Sequence, residues 1–112
     1  MSFPPREYLR HMLVETDYLL QTSAGVTATQ FAGDATLQRA FARSLEIIGE
    51  AAKKVPLSTR DQFAAIEWRA ITGMRDRLIH DYFGVDYELV WDVIQQKIPQ
   101  LQRELRQALG AR

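Results

Sequence analysis

The chain has 112 residues, a formal net charge of zero, no cysteine, and two histidines, His11 and His80. The lack of cysteine excludes disulfides, thiolate metal sites and thiol nucleophiles, and two histidines would need carboxylates to complete a zinc site. We therefore expect no metal and no other cofactor, and we interpret His11 as a solvated helix residue rather than a ligand. The neutral charge balance counts against a broad basic surface for nucleic acid, so any RNA contact must be local or built from two subunits.

The length predicts a single domain that covers residues 1–112. The content of 46% hydrophobic and 25% charged residues is typical of a soluble globular protein. The first residues lack the basic and then apolar pattern of a signal peptide, and no apolar run approaches the length of a membrane span. These features predict a cytoplasmic protein without membrane contact.

Two long helices are predicted in the first half of the chain. The first runs from about residue 6 to residue 21, with apolar side chains three and four positions apart. Residues 22–33 are rich in small and polar types and predict a loop with about one helical turn, anchored by Phe31. Asp34 is typical of an N-cap and begins a second helix that extends to about Lys54.

The second helix carries a small residue and a pair of acidic residues whose roles the sequence leaves open. Gly49 weakens a helix by about 1 kcal/mol relative to alanine, so its presence predicts the close approach of another helix. Glu46 and Glu50 are one turn apart and could form a paired-carboxylate site. Alternatively they are solvated, or they pair with Arg43 and with a lysine of residues 53–54.

The second half predicts a short helix, a central helix and a C-terminal helix. Ser58 followed by Asp61 resembles a capping box and opens a helix over about 59–64. The central helix is predicted over about 67–82, and the last helix begins near residue 87 and is kinked or split at Pro99. No strand pattern is present. The sequence therefore predicts an all-α bundle of four to five helices with antiparallel neighbours.

The central stretch, MRDRLIHDYFGVD at residues 74–86, mixes apolar and chemically active residues. Helical periodicity continues through Tyr82, Gly84 predicts a C-terminal stop, and Asp86 predicts the N-cap of the next helix. Arg75 falls inside the apolar arc of this predicted helix. An arginine there needs a partner or a path to water, because burying an unpaired charge is costly.

Arg75, Asp76 and His80 form the candidate chemical group of this helix. In a helix, Asp76 and His80 are one turn apart, so the carboxylate would orient the imidazole and favour its charged form. Arginine stabilises developing negative charge and histidine moves protons near neutral pH, which suits chemistry on a phosphodiester. In the alternative interpretation, Arg75 extends past the apolar edge to water and His80 is a surface residue paired with Asp76.

The chain resembles the HEPN-domain proteins of the HepT type, which are toxin ribonucleases of bacterial and archaeal toxin–antitoxin pairs. RDRLIHDY, residues 75–82, matches their R-x4-H-x-Y pattern. The similarity also covers RSLEIIGEAAKKVP at 43–56, the whole block 66–86 and YELVWDVIQQKIPQL at 87–101, in the same order as in that family. It therefore extends over nearly the whole chain.

The resemblance implies a homodimer in which two motif helices face one another across a cleft. It implies that Arg75 and His80 are catalytic, that Asp76 supports His80, and that RNA is cleaved without a metal to leave a 2′,3′-cyclic phosphate. It also implies an MntA-like minimal nucleotidyltransferase as the antitoxin partner. This partner silences the toxin by transferring AMP from ATP to Tyr82, and the two proteins could assemble into a larger hetero-oligomer.

Other interpretations of the same residues remain open. The chain could be a non-catalytic HEPN module that binds a nucleotide or a nucleotidyltransferase, which the zero net charge favours slightly. It could also be a helical adaptor without catalytic function. Tyr82 could be a core aromatic, because a tyrosine can bury its ring and expose its hydroxyl.

Overall fold

A computed structural model describes residues 2–80 and 84–110, and within these ranges the chain forms eight helices and no strand. The predicted all-α class is confirmed. None of the helices in the described ranges combines the length and the apolar character needed to cross a membrane. The helices are α1 (Pro5–Ser23), α2 (Ala28–Ala32), α3 (Ala35–Lys54), α4 (Leu57–Gln62), α5 (Trp68–Thr72), α6 (Met74–Leu78), α7 (Tyr87–Gln96) and α8 (Ile98–Gly110).

The two long helices of the first half begin where the sequence predicts. Pro5 occupies the first turn of α1, where its missing N–H costs no hydrogen bond. The Asp34 carboxylate accepts a hydrogen bond of 3.0 Å from the Leu37 backbone N–H and caps α3. The predicted helical turn before it is α2, which Thr27 caps and whose Phe31 is buried.

Helices α1 and α3 pack antiparallel. The Ser44 hydroxyl of α3 donates to the Glu15 carboxylate of α1 at 2.8 Å. Three residues earlier on α3 and three residues later on α1, the rings of Phe41 and Tyr18 meet edge to face, with centroids 6.2 Å apart. Since the two sets of residues run in opposite order, the prediction of antiparallel neighbours is confirmed for this pair.

Helix α8 covers another side of α1 and also runs antiparallel to it. The Gln102 amide donates to the Asp17 carboxylate at 2.6 Å, near the end of α1. At the other end, the Arg6 guanidinium donates to the backbone carbonyl of Leu109. Between α1, α3, α7 and α8 lies the core, whose fully buried side chains include Leu9, Met12, Leu19, Phe41, Leu45, Ile48, Val90, Ile94, Ile98 and Leu105.

Helices α3 and α5 approach each other closely at Gly49. A Cβ atom built on Gly49 would lie 3.3 Å from the backbone oxygen of Ile71, which is shorter than an ordinary van der Waals contact. The close approach predicted from this glycine is confirmed. It fixes α5, and with it α6, against the side of α3.

The number of described helices exceeds the predicted four to five because two predicted helices are divided and the predicted helical turn before Asp34 is the separate helix α2. The predicted central helix is broken at Gly73 into α5 and α6. The last helix is divided at Lys97, just before Pro99, as the proline predicts. The predicted capping box at Ser58 is wrong: α4 begins at Leu57, and Pro56 at its N-cap provides no side-chain hydrogen bond.

Candidate functional site

The segment with the candidate chemical residues leaves the helix earlier than its periodicity predicts. Helix α6 ends at Leu78, and Ile79 is extended, with φ −122° and ψ 109°. Ile79 pairs with Val85 in an isolated antiparallel bridge. The predicted helix through Tyr82 is therefore wrong, because the chain turns back on itself after Leu78.

Backbone hydrogen bonds explain why the helix stops. The His80 N–H donates to the Gly84 carbonyl at 2.8 Å, instead of to the carbonyl of Asp76 as an α-helix would require. The Asp86 N–H donates to the Leu78 carbonyl at 2.8 Å. These two bonds join residues 78–80 to residues 84–86 at the base of the loop between α6 and α7. Pairing across the loop satisfies backbone groups that the end of a helix otherwise leaves open.

The end of the helix changes the geometry of the predicted Asp76–His80 pair. His80 lies in the loop and Asp76 lies on α6, and both are exposed. No hydrogen bond or ion pair joins these two residues in the part of the chain that the structure describes. The prediction that they are neighbours one helical turn apart is wrong. His80 is instead held by its backbone, with its side chain at the protein surface.

The remaining predictions for this segment have mixed outcomes. Asp86 caps α7, since its carboxylate accepts a 3.0 Å hydrogen bond from the Leu89 N–H, as predicted. Gly84 does not stop the helix, which has already ended at Leu78. Tyr82, the residue predicted to receive AMP, lies outside the described residues.

Arg75 reaches water and also has a partner. Its neighbours in the predicted apolar arc, Met74 and Leu78, are buried as expected. The Arg75 side chain is 48% exposed, and its Nε donates to Glu46 Oε2 at 2.7 Å. The ion pair joins α6 to α3 across 29 positions of sequence. This contact removes the cost of placing an arginine beside an apolar stripe.

Glu46 also binds a second arginine. Its Oε1 accepts a 2.9 Å hydrogen bond from Arg43 Nη1, and Arg43 lies 3.6 Å from the Glu50 carboxylate. The predicted alternative, in which these acidic residues pair with Arg43, is confirmed. No ion pair of residues 53–54 with either glutamate is present among the described residues. The paired-carboxylate site is replaced by a network in which two arginines share one carboxylate.

The charges in this network stabilise one another. The hydrogen bond from Arg75 is the largest cause that lowers the pKa of Glu46, and Arg43 lowers it further, although burial opposes both. The same hydrogen bonds raise the pKa values of Arg75 and Arg43 above the ordinary value for arginine. All three side chains are therefore charged throughout the neutral range.

The sequence alone did not identify Glu46 as the partner of Arg75. A signal was present, because Glu46 lies one turn before Gly49, the position that predicts the close approach of another helix. A charged residue on that side of α3 is expected to contact the helix that packs at Gly49. The sequence did not say which side chain of the approaching helix it would meet.

His11, the second histidine, lies in α1 as predicted and is half-buried. Its ring meets the rings of Phe3 and Tyr8 edge to face, and Glu7 lies 3.8 Å from Nε2. No group of three or more histidine, aspartate or glutamate residues in the described ranges is arranged to hold a metal ion. The surroundings of His11 are those of a packed helix residue.

A groove of about 360 Å³ lies beside α6, between the α5–α6 pair and the α7–α8 pair. Its floor is apolar and includes Ile71, Met74 and Val93, while Glu67 and Glu104 lie among its charged residues. Burial raises the pKa of Glu104, and the charge of Glu67 raises it further. Neither Arg75 nor His80 lines this groove, so the candidate site is an exposed surface rather than a cavity.

Comparisons with known proteins identify a family for the chain. Residues 12–108 match the family model described as "Ribonuclease HepT-like". A protein of Caldanaerobacter subterraneus subsp. tengcongensis, named "Putative RNase", is 45% identical over 105 residues that cover 94% of each chain. A Methanocaldococcus jannaschii protein with the same designation is 34% identical over 104 residues, 93% of this chain and 86% of its own.

A further relative is an archaeal protein with a more specific name. "Probable ribonuclease HepT" of Thermococcus cleftensis is 35% identical over 96 residues, which cover 86% of this chain and 87% of its own. No solved structure is significantly similar to the chain.

Proposed function

The chain belongs to the HepT-like ribonuclease family, and on that premise we propose that it is a metal-independent endoribonuclease whose catalytic residues are Arg75 and His80. The observation that carries the proposal is the hydrogen bonding and exposure of the Arg75 guanidinium. Glu46 holds its inner nitrogen, Nε, and no described residue accepts a hydrogen bond from its terminal nitrogens. An exposed guanidinium with its outer donors available suits a phosphate oxygen.

The proposed reaction is a transfer of the phosphoryl group within the RNA strand. A His80 imidazole takes the proton of the ribose 2′-hydroxyl, and the 2′-oxygen attacks the adjacent phosphorus. The bond from phosphorus to the 5′-oxygen breaks, and a second imidazole, in its charged form, supplies the proton to that oxygen. The products are a 2′,3′-cyclic phosphate and a 5′-hydroxyl end.

Arg75 lowers the barrier because the phosphorane-like transition state carries more negative charge than the substrate. Its terminal nitrogens donate to the non-bridging oxygens and stabilise that added charge. Asp76, exposed on α6 four positions before His80, is the proposed supporting residue for His80 when RNA is bound. Neither role needs a metal ion, since arginine provides the positive charge and histidine provides the proton transfer.

We propose that the active form is a homodimer in which two copies of this surface form one cleft. One histidine cannot act at the same moment as base for the 2′-hydroxyl and acid for the leaving oxygen, and a dimer supplies two. Two copies of Arg75 also concentrate positive charge in a chain whose formal net charge is zero. The exposure of Arg75 and His80 supports this arrangement, because both side chains are available to a second surface.

We further propose that the protein is a cytoplasmic toxin that an MntA-like nucleotidyltransferase silences by transferring AMP to Tyr82. Membership of the HepT-like family supports this role. Tyr82 follows His80 by two positions, so an attached AMP would add a bulky anion close to the site. It would exclude RNA by its size and would compete with phosphate for Arg75.

The enzyme proposal is tested by incubating the purified protein with RNA in the presence of EDTA. We expect cleavage that is lost in Arg75→Ala and in His80→Ala but kept in the matched controls Arg69→Ala and His11→Ala. Equal cleavage by all variants would identify a contaminating nuclease and refute the proposal. RNA binding without cleavage would instead favour the non-catalytic module.

The silencing proposal is tested by co-expression with the partner nucleotidyltransferase, followed by intact mass measurement. We expect an AMP-sized increase on the wild type and on Tyr18→Phe, which alters an exposed tyrosine of α1. The increase should be absent from Tyr82→Phe. An equal increase on Tyr82→Phe would place the modification elsewhere.

A further inference from the structure

Glu46 joins two arginines that come from different helices. Its Oε2 accepts from Arg75 of α6 at 2.7 Å, and its Oε1 accepts from Arg43 of its own helix, α3, at 2.9 Å. Each carboxylate oxygen holds one guanidinium, so the two cations stay side by side despite their mutual repulsion. The Glu46 side chain is only 19% exposed, while those of Arg75 and Arg43 are 48% and 59% exposed.

Both guanidinium groups keep donors for another partner. Arginine has five N–H donors in a planar fork. Within the described residues, Arg75 uses Nε alone, and Arg43 donates one hydrogen bond, from Nη1 to Glu46. The Glu50 carboxylate lies 3.6 Å from Arg43, which is too long for a hydrogen bond, and Glu50 is itself exposed. A phosphate oxygen can therefore replace Glu50 beside Arg43 without breaking a buried contact.

We propose that Arg43 is a second phosphate-binding residue of the RNA site, and that Glu46 is the positioning residue that holds Arg43 beside Arg75. This inference rests on the proposed ribonuclease function and names residues that the motif does not include. Arg75 binds the phosphate at which the strand is cut, and Arg43 binds a neighbouring phosphate of the same strand. The pair provides local positive charge on a chain that has no net charge.

The buried position of Glu46 explains why it positions the arginines rather than blocking the site. It contacts Arg75 through Nε, and no described residue accepts a hydrogen bond from the terminal nitrogens of Arg75. On Arg43 it occupies one terminal nitrogen, Nη1, and the other donors of that guanidinium have no hydrogen-bond acceptor among the described residues. Glu46 neutralises one of the two positive charges, and the exposed Glu50 near Arg43 is the carboxylate that a phosphate replaces.

The salt dependence of RNA binding tests Arg43 directly. The probe is a short single-stranded RNA, and every chain carries His80→Ala so that binding is measured without cleavage. We expect Arg43→Gln to weaken binding roughly tenfold, as the loss of a charged hydrogen bond. It should also reduce the slope of log K against log salt by about 0.7, the value for one phosphate contact on a single strand.

Arg39→Gln is the matched control for this experiment. Arg39 is exposed, lies one turn before Arg43 on α3, and has no hydrogen bond or ion pair with any described residue. Arg39→Gln removes the same formal charge from α3 as Arg43→Gln does. We expect its salt slope to equal that of the parent chain. Equal slopes for Arg43→Gln and Arg39→Gln would overturn the assignment of Arg43.

Glu46→Gln tests the positioning role in the chain that retains His80. Glutamine has a single acceptor oxygen, so it can hold only one of the two arginines. We expect kcat to fall about a hundredfold, the scale of loss for a misplaced catalytic group, while the salt slope stays unchanged because both arginines remain. An unchanged kcat would show that Glu46 does not position the site.

These outcomes separate the inference from the proposed function. If the wild-type chain neither binds nor cleaves RNA, the ribonuclease proposal itself fails. If Arg75→Ala and His80→Ala abolish cleavage while Arg43→Gln behaves as Arg39→Gln, the ribonuclease proposal stands and the second phosphate site is refuted.

Discussion

The contact between α3 and α5 at Gly49 predicts how side-chain size at that position should affect stability. A Cβ at Gly49 would lie 3.3 Å from the Ile71 carbonyl oxygen, so alanine requires a shift of a few tenths of an ångström. Alanine also gains about 1 kcal/mol of helix propensity over glycine. We expect these effects to offset each other and leave Gly49→Ala within about 1 kcal/mol of the wild type.

Valine at the same position should be clearly destabilising. Its two additional methyl groups enter a contact that is already tight, and overpacking of this kind costs about 1–3 kcal/mol. Valine regains only a few tenths of a kcal/mol of helix propensity over glycine. For a chain of this length, the expected fall in Tm for Gly49→Val is about 4–12 °C.

The same substitution should also impair RNA cleavage in protein that is still folded. Pushing α5 away from α3 moves α6 with it and lengthens the contact between Arg75 and Glu46. A displacement of about 1 Å at a catalytic group costs about a hundredfold in rate. We expect a loss of this order in kcat/KM for Gly49→Val, measured well below its Tm.

Thermal unfolding followed by circular dichroism, together with the cleavage assay, measures both effects. Gly110→Val is the control, because no described atom lies within 4 Å of a Cβ at Gly110 in α8. It should keep both the Tm and the activity of the wild type. If Gly49→Val were as stable and as active as Gly49→Ala, the close contact would not exist as described and the reasoning would be refuted.

Two further predictions concern acid stability and a helix cap. Because Arg75 and then Arg43 lower the pKa of Glu46 from its ordinary value of 4.5, the ionised carboxylate stabilises the fold above that pH. This stabilisation is lost as the pH falls through the lower pKa of the folded state. The difference in unfolding free energy between the wild type and Glu46→Gln should therefore shrink as the pH falls below 4.5 and through the lower pKa of the folded state. A difference that is constant with pH would contradict the assignment. Asp86→Ala removes the cap of α7 and should cost about 1 kcal/mol, as should Asp34→Ala at α3. At a temperature where both variants are folded, only Asp86→Ala should slow RNA cleavage, because Asp86 borders the loop that carries His80. Equal cleavage rates for the two variants would show that the cap at Asp86 does not influence the site.

Local features of the sequence predicted much of the fold because each acts over a few residues. Asp34 and Asp86 are N-caps as predicted, and Pro99 divides the last helix as predicted. Gly49 indicated a helix contact, since a glycine inside a helix is costly unless it has a packing role. These predictions needed no knowledge of distant residues.

The central helix could not be predicted in the same way. Apolar spacing continued through residue 82, but the helix ends at Leu78. The His80 N–H pairs with the Gly84 carbonyl and the Leu78 carbonyl accepts from the Asp86 N–H, so neither group continues the helix. Ile79 is β-branched and suits the extended conformation that it adopts. Periodicity indicates which side chains are apolar, but it does not indicate the backbone hydrogen bonds that compete with a helix.

Arg75 and His80 remain proposed site residues, and the sequence did not predict their geometry. Arg75 and His80 are both exposed, as a catalytic role requires. The contact that orients Arg75 joins residues that are 29 positions apart, and only the packing of α6 on α3 brings them together. For the same reason, the neighbouring position of Asp76 and His80 failed, since it depended on the helix continuing.

The pairing of Ile79 with Val85 has a consequence for how this protein tolerates change. The two ends of the loop are joined through main-chain atoms, so a replaced side chain at either end leaves the tie intact. The end of α6 and the start of α7 are therefore held together by contacts that do not depend on which side chains stand at positions 79 and 85.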